Sequence, residues 1–179
     1  MSSINEVLSG LQTVSAWQDR VYKDIHANPE LSFQETKTAA LAASKLKELG
    51  YEVVEGVGRT GVVGVLRNGA GQTVLARADM DALPVKENTG LPYASTLTAT
   101  DMTGETVSVA HACGHDAHVT CLLGAAELLA NARRSWSGTF IVLFQPAEEV
   151  AGGAKAMVED GLPGRIPKPD VAFAQHAVA

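Results

Sequence analysis

The segment His111-Ala-Cys-Gly-His-Asp-Ala-His118 gathers three imidazoles, one thiol and one carboxylate into eight residues of a chain that holds five histidines and two cysteines. Neutral imidazole and thiolate are the preferred ligands of zinc and related divalent metals. Cys113 and His115 lie two apart, a spacing that in an extended segment projects both side chains to one side. Metal coordination is the chemistry this pattern suits. The competing reading is a polar loop that caps a helix, with Asp116 ahead of the apolar run from Val119.

Three further clusters carry candidate chemistry. In Arg77-Ala-Asp-Met-Asp-Ala-Leu-Pro84, Asp79 and Asp81 can face one side together, to bind a metal, orient a base or stabilise a cation, or simply to form a turn before Pro84. In Gln145-Pro-Ala-Glu-Glu149 the adjacent glutamates cannot easily share a direction, which suits divided labour: one on a metal, its neighbour on a metal-bound water. A solvated acidic turn near the positive end of the next helix is the alternative there. His176 follows Val171-Ala-Phe-Ala-Gln and draws its weight only from the other clusters. Three of the four clusters fall where apolar strands end, the place where ligands gather in open α/β sheets. Together they fit metal-assisted hydrolysis, in which the ion lowers the pKa of bound water and a free carboxylate moves the proton to the leaving amine.

The elements that must position these residues follow from periodicity. Residues 4–27 read as one amphipathic helix and 35–49 as a second, stopped by Gly50. Strand-like runs lie at 51–54, 61–66 and 73–76, with Asn68-Gly69 between the last two as a hairpin signal. Residues 84–110 are turn-rich and suit a small hairpin or an ordered loop. A buried helix over 119–130 follows, in which Cys121 packs as a small hydrophobe, and 139–144 is a strand buried on both faces. A short helix at 153–159 and a last strand at 171–174 complete an α/β fold: a mixed, largely parallel sheet flanked by helices.

Composition bounds the partners. With 179 residues the chain can hold one sizeable core, and its net charge of −6 opposes nucleic acid or an anionic membrane as the main partner. No apolar run approaches the ~20 residues that span a bilayer. The first residues lack a basic flank followed by an apolar stretch, so no secretory leader is expected, and two cysteines suit a reducing cytoplasm.

Five blocks carry a resemblance: His26-Ala-Asn-Pro-Glu-Leu-Ser-Phe, Arg77-Ala-Asp-Met-Asp-Ala-Leu-Pro, Thr89-Gly-Leu-Pro-Tyr-Ala-Ser, His111-Ala-Cys-Gly-His-Asp-Ala-His and Phe144-Gln-Pro-Ala-Glu-Glu. In this order they resemble the M20 metallopeptidase family, in its amidohydrolase branch of hippurate, N-acyl-amino-acid and auxin-conjugate hydrolases. The resemblance implies a zinc-peptidase-like catalytic domain holding two divalent ions, zinc, manganese, cobalt or nickel. It implies Cys113, His115, Glu149 and His176 as metal ligands, Glu148 as general base and acid, and Asp81 as the carboxylate that orients the site. Asp79 stands where relatives carry a metal-binding His, and His118 is expected to orient a ligand. The substrate implied is a small N-acyl or N-aroyl amino acid.

The resemblance also implies that residues 1–179 form the N-terminal part of the catalytic domain, without the lid and dimerisation domain or the return segment that bears another metal-binding His. A piece of that extent would be weakly active or inactive, and homo-oligomerisation would run through the lid. Residues 96–110 exceed the usual link into the Cys-Gly-His motif and are expected to form a surface excursion near the site mouth. Two rival readings stand beside this one. One is a cysteine hydrolase with Cys113 as nucleophile and His115 or His118 as base. The other is a non-catalytic metal-binding module.

Overall fold

The computed structural model describes residues 3–177. Three helices open the chain, α1 (Ser3–Leu8), α2 (Leu11–Ala27) and α3 (Thr36–Glu48), followed by strands β1 (Glu52–Val57), β2 (Gly61–Asn68) and β3 (Thr73–Asp79). A small hairpin, β4 (Thr98–Thr100) and β5 (Thr106–Ser108), precedes α4 (His115–Asn131) and β6 (Gly138–Gln145). Helices α5 (Gly153–Glu159) and α6 (Leu162–Arg165) lead to β7 (Val171–Ala174).

Phe140 to Phe144 is apolar at every position, so neither face of β6 can be left in water. The fold answers by giving β6 the central place in a five-stranded sheet of order β1-β2-β6-β3-β7. Phe140, Val142 and Phe144 face α2, α3 and α4, where Leu46, Val119 and Leu123 join them. Ile141 and Leu143 face the other way, onto Val63, Val65, Leu75 and Met157 of α5. Helices thus cover both faces of a mixed sheet. It is antiparallel from β1 through β6 and parallel from β6 through β3 to β7. Because β3, β6 and β7 run parallel, their carboxyl ends share one edge, and each is followed there by one of the candidate clusters.

Four expectations need correction. The helix over 4–27 is two helices, broken at Gly10, where a Cβ would press on Leu128 at 3.1 Å and where glycine is a poor helix former. The turn at Asn68-Gly69 exists, with Gly69 at φ 80°, but β2 and β3 do not pair. β6 lies between them, and the Asn68 amide donates to the carbonyls of Arg133 (2.7 Å) and Trp136 (2.6 Å), on the segment that delivers β6. Helix α4 starts at His115 rather than 119, so the histidine cluster occupies its first turn. Cys121 is exposed rather than packed in the core, and both cysteines are free thiols. The hairpin within 84–110 and the elements 153–159 and 171–174 are found as expected, although every residue of β7 is exposed. Among the described residues no helix is long and apolar enough to cross a membrane.

A buried ionic network pins the first turn of α4. His26, at the end of α2, faces Asp116 with Nδ1 (2.6 Å) and Glu87 with Nε2 (3.1 Å). Both partners are carboxylates, so the ring is held as an imidazolium between them. Burial alone would lower the His26 pKa, but the bonds to Glu87 and Asp116 outweigh it and raise it. Burial would raise that of Glu87, yet Thr89, His26 and the Ser95 amide bring it down to about 2. Glu87 therefore contributes stability above its unfolded value of about 4.3, lost as pH falls toward the folded one. His26 contributes below its unfolded value of about 6.5, lost as pH rises through its raised folded value. Replacing Glu87 by Gln is expected to lower the melting temperature most near pH 5.5 and clearly less near pH 9. A difference from wild type that stays constant across that range, measured by thermal melts, would refute the network.

Candidate metal centre

Gly114, with φ 81°, turns the chain from the loop bearing Cys113 into α4, whose first residue is His115. The local geometry is a tight turn into a helix, not the extended segment expected, but the two side chains still converge. The His115 ring is fully buried, and its Nδ1 donates to the Asp81 carbonyl at 2.8 Å. Its Nε2 lone pair is therefore the free one. His176 makes the same choice: Nδ1 donates to the Ala177 carbonyl at 2.7 Å, leaving Nε2 bare. These two Nε2 atoms face each other at 3.4 Å, and Cys113 Sγ lies 3.5 Å from that of His176. Around His115 Nε2 stand Asp79 Oδ2 at 3.5 Å, Glu148 Oε2 at 3.7 Å and Glu149 Oε1 at 3.9 Å.

Two lone pairs and three carboxylate oxygens pointed at one place repel one another unless a cation lies among them. Zinc–nitrogen and zinc–sulfur bonds of about 2.0 and 2.3 Å at tetrahedral angles would put N···N near ~3.3 Å and N···S near ~3.5 Å. The observed spacings match this donor set. Glu149 Oε1 is buried and has no hydrogen-bond partner, another acceptor left for a cation. Ligand atoms of Cys113, His115 and Glu149 form one group able to hold an ion, and those of Asp79, His115, His118 and His176 form a second. His115 belongs to both.

Electrostatics points the same way. Burial would lower the His115 pKa, but Asp81 and Asp79 outweigh it and raise it, so the site calls for positive charge. Burial pushes the Cys113 thiol up to about 11, helped by Glu149, Glu148 and Asp79. A nucleophilic cysteine needs the opposite surroundings, which weighs against the cysteine-hydrolase reading. A bound cation would reverse the effect and favour the thiolate.

Supporting groups fix these ligands. The fully buried Asp79 joins His118 Nδ1 through Oδ1 (2.6 Å) and Arg77 through Oδ2 (2.6 Å). His118 Nε2 accepts the Ala177 amide at 2.8 Å and so steadies the segment that presents His176. Asp81 accepts the Ser32 hydroxyl (2.6 Å) and the Glu149 amide (3.0 Å) on Oδ2 while its carbonyl holds His115. Burial would raise the Asp81 pKa, but bonds from His115, Ser32 and the Glu149 amide bring it below the usual value. His111 lies outside both groups. Its two ring nitrogens are buried without partners, and burial drives its pKa down to about 4, so it is neutral.

The loop carrying Glu148 and Glu149 is wound tightly. Ala147 and Ala151 have φ 48° and 51°, left-handed values that cost an alanine on the order of 1 kcal/mol each. The Ala147 carbonyl accepts the amides of Gly152 (3.2 Å) and Gly153 (3.0 Å), and a Cβ at Gly153 would overlap the Pro146 carbonyl oxygen. Sequence reasoning overlooked what braces this loop. Glu35 read only as the start of a helix, whereas α3 starts at Thr36 and Glu30 caps it, accepting the amides of Lys37 and Thr38. Glu35 is thereby free to turn inward, and its carboxylate accepts the Ala147 amide at 2.8 Å. An acidic residue immediately before a helix already capped from upstream was the available signal.

Similarity to known proteins agrees with this geometry. Residues 75–178 match the family described as peptidase family M20/M25/M40. Hippurate hydrolase of Campylobacter jejuni is 52% identical over 145 residues, which cover 80% of this chain and 35% of that protein. Thermostable carboxypeptidase 1 of Saccharolobus solfataricus is 42% identical over 180 residues, covering 98% of this chain and 43% of its own length. The chain thus spans well under half the length of these curated relatives. The YXEP protein of Bacillus subtilis, described as a dinuclear metal binding peptidase of the M20 family, superposes with a TM-score of 0.78 at 34% identity. That superposition covers 92% of this chain and 43% of the other. With the family match extending over more than half of the residues, the chain belongs to peptidase family M20/M25/M40.

Proposed function

We propose that the protein to which this chain belongs is a metal-dependent amidohydrolase acting on N-acyl or N-aroyl amino acids, releasing a carboxylic acid and the amino acid. The observation that carries the reading is the pair of bare Nε2 atoms of His115 and His176, 3.4 Å apart amid carboxylates. Cys113, His115 and Glu149 would hold one divalent ion, while His176, 3.5 Å from the Cys113 sulfur, groups with Asp79 and His115 for a second. Such an ion would polarise the scissile carbonyl and acidify water. Glu148 is the proton carrier. Its side chain is 36% exposed while Oε2 reaches to 3.7 Å of His115 Nε2, so it borders both the ligands and the open face. Its Oε2 takes a proton from the attacking water and returns it to the amine nitrogen that leaves. Asp81 acts behind the ligands: its carbonyl fixes the tautomer of His115, and its carboxylate holds the Glu149 backbone.

A hollow beside this centre supports the proposed acyl substrate. A cavity of about 290 Å³ is lined by Leu31, Leu83, Pro84, Met102 and Val150, with Glu149 on its wall. Met102, 69% exposed, stands at the tip of the β4–β5 hairpin, which is the excursion expected from residues 96–110. An amide carbonyl placed at the ligands would direct an apolar acyl group into this space. The shares of 35% and 43% of two relatives that the chain covers support reading it as one part of a longer protein.

Two outcomes test the reading in the intact protein. Glu148→Gln is expected to lower kcat for hippurate by about 10²–10⁴-fold, the scale of a lost general base, with metal content by elemental analysis unchanged. Retained turnover would sink the assigned role, and wild-type protein that holds metal but hydrolyses no acyl amino acid would favour a non-catalytic metal-binding module. Met102→Asp is expected to raise KM for substrates with apolar acyl groups about tenfold, the scale of one lost apolar contact, with kcat little changed. An unchanged KM would remove the hairpin from the acyl site.

A further inference from the structure

Among the described residues, the non-glycine positions with left-handed backbone are Phe33 (φ 64°), Arg59 (φ 87°), Ala147 (φ 48°) and Ala151 (φ 51°). All four gather around the Glu148–Glu149 loop. Ala147 and Ala151 flank the two glutamates, the Phe33 ring lies 3.2 Å from where a Cβ on Gly152 would sit, and the Arg59 guanidinium stacks 4.4 Å over that ring. Strained backbone persists only where its surroundings over-determine it. One side chain supplies much of that determination here. Glu35 is fully buried, and its Oε1 accepts both the Phe33 amide (2.9 Å) and the Ala147 amide (2.8 Å). Its Oε2 accepts the Thr60 hydroxyl at 2.5 Å.

We propose that Glu35 is a positioning residue for the metal centre: by fixing the Phe33 and Ala147 amides on one oxygen, it sets the direction in which Glu148 and Glu149 leave the backbone. The proposal rests on reading Glu149 as a ligand and Glu148 as the base. Both amides belong to residues whose φ is unfavourable, so neither can turn to another partner without releasing the loop. The same clamp reaches the centre twice, because Phe33 follows Ser32, the hydroxyl donor to Asp81. A buried carboxylate held only by neutral donors is costly to bury, and burial indeed raises the pKa of Glu35 despite its hydrogen bonds. Its oxygens are engaged by the Phe33 and Ala147 amides and the Thr60 hydroxyl, so its acceptor geometry is what the site uses.

That geometry predicts which substitutions matter. In Glu35→Gln the carbonyl oxygen still accepts both amides, while the new NH₂ donates to Thr60, whose hydroxyl reverses its role. In Glu35→Ala two buried amides lose their acceptor and the loop is released. The intact protein and both variants would be compared with Val65→Ala, a cavity on the far side of the sheet that controls for general destabilisation. The readouts are zinc affinity by competition with a chelating dye, amide hydrogen exchange of residues 147–151 in the metal-free protein, and kcat against KM. The expected result is that Glu35→Ala weakens zinc binding at least tenfold, speeds exchange across 147–151 and lowers kcat more than KM changes. Glu35→Gln and Val65→Ala should stay within about threefold of wild type. The proposal is overturned if Glu35→Ala binds zinc within twofold of wild type with unchanged exchange, or if Val65→Ala weakens zinc as much. Should the wild-type protein bind no zinc, the reading of the centre fails, while the exchange rates still decide whether Glu35 holds the loop.

Discussion

Like charges crowded at one edge of a sheet set the terms for the rest of this structure. Asp79, Glu148 and Glu149 converge with the Cys113 thiol on the Nε2 atoms of two histidines, Asp81 stands behind His115 at Nδ1, and Arg77 offsets Asp79. Negative groups held together in a partly buried site raise one another's free energy, and a cation or a proton among them offsets that cost. The raised pKa values of His115 and Cys113 are the metal-free expression of that demand.

Holding such a cluster together falls to groups that are themselves neutral or internally paired. The parallel strands β3 and β6 bring Asp79 and Gln145 side by side, so the two acidic loops start from adjacent points on one edge. Backbone carbonyls and hydroxyls then aim the side chains: the Asp81 carbonyl turns His115, and Ser32 turns Asp81. Farther back, His26 between Asp116 and Glu87 offsets one of the two carboxylates it holds and secures the first turn of α4. Charge near the ligands is thus left for the ion, and rigidity comes from elsewhere.

How much of this could be read from the chain depends on how local the cause is. The end of β6 at Gln145, the helix 153–159 and the strand 171–174 follow from apolar runs and their punctuation, and those signals are local. Partner choice is not. Asn68-Gly69 announces a turn but cannot say that β6, the strand with no polar face, will outcompete β3 for the edge of β2. The exposure of Cys121 is likewise a matter of which side of α4 meets the sheet, and a helix rich in Ala and Leu all round gives little sign of that. Glu35 escaped notice because a Glu ahead of a helix normally belongs to the cap, and only Glu30, five residues upstream, displaces it. Residue types named the chemistry; long-range contacts assigned the roles.

His115 and His118 show where that division lies. Their spacing of i, i+3 puts both on one face of α4, with ring centroids 5.6 Å apart, and that spacing alone does not rank one above the other as a ligand. The difference is made by what each ring's nitrogens already hold. His115 gives its proton to a backbone carbonyl from the β3 side and keeps Nε2 for the centre. His118 spends Nδ1 on Asp79 and Nε2 on the Ala177 amide, so neither nitrogen is free. On the proposed reading, one helix turn thus yields a candidate ligand and the bracket for another, since the amide that His118 holds is the one following His176. Swapping the two roles would require a carbonyl acceptor at His118 Nδ1 in place of Asp79 and an amide donor at His115 Nε2, that is, different chain paths on both sides of the centre. On the proposed reading, the Asp81 carbonyl in the strand-end loop, thirty-four residues upstream, is what leaves His115 Nε2 for a metal.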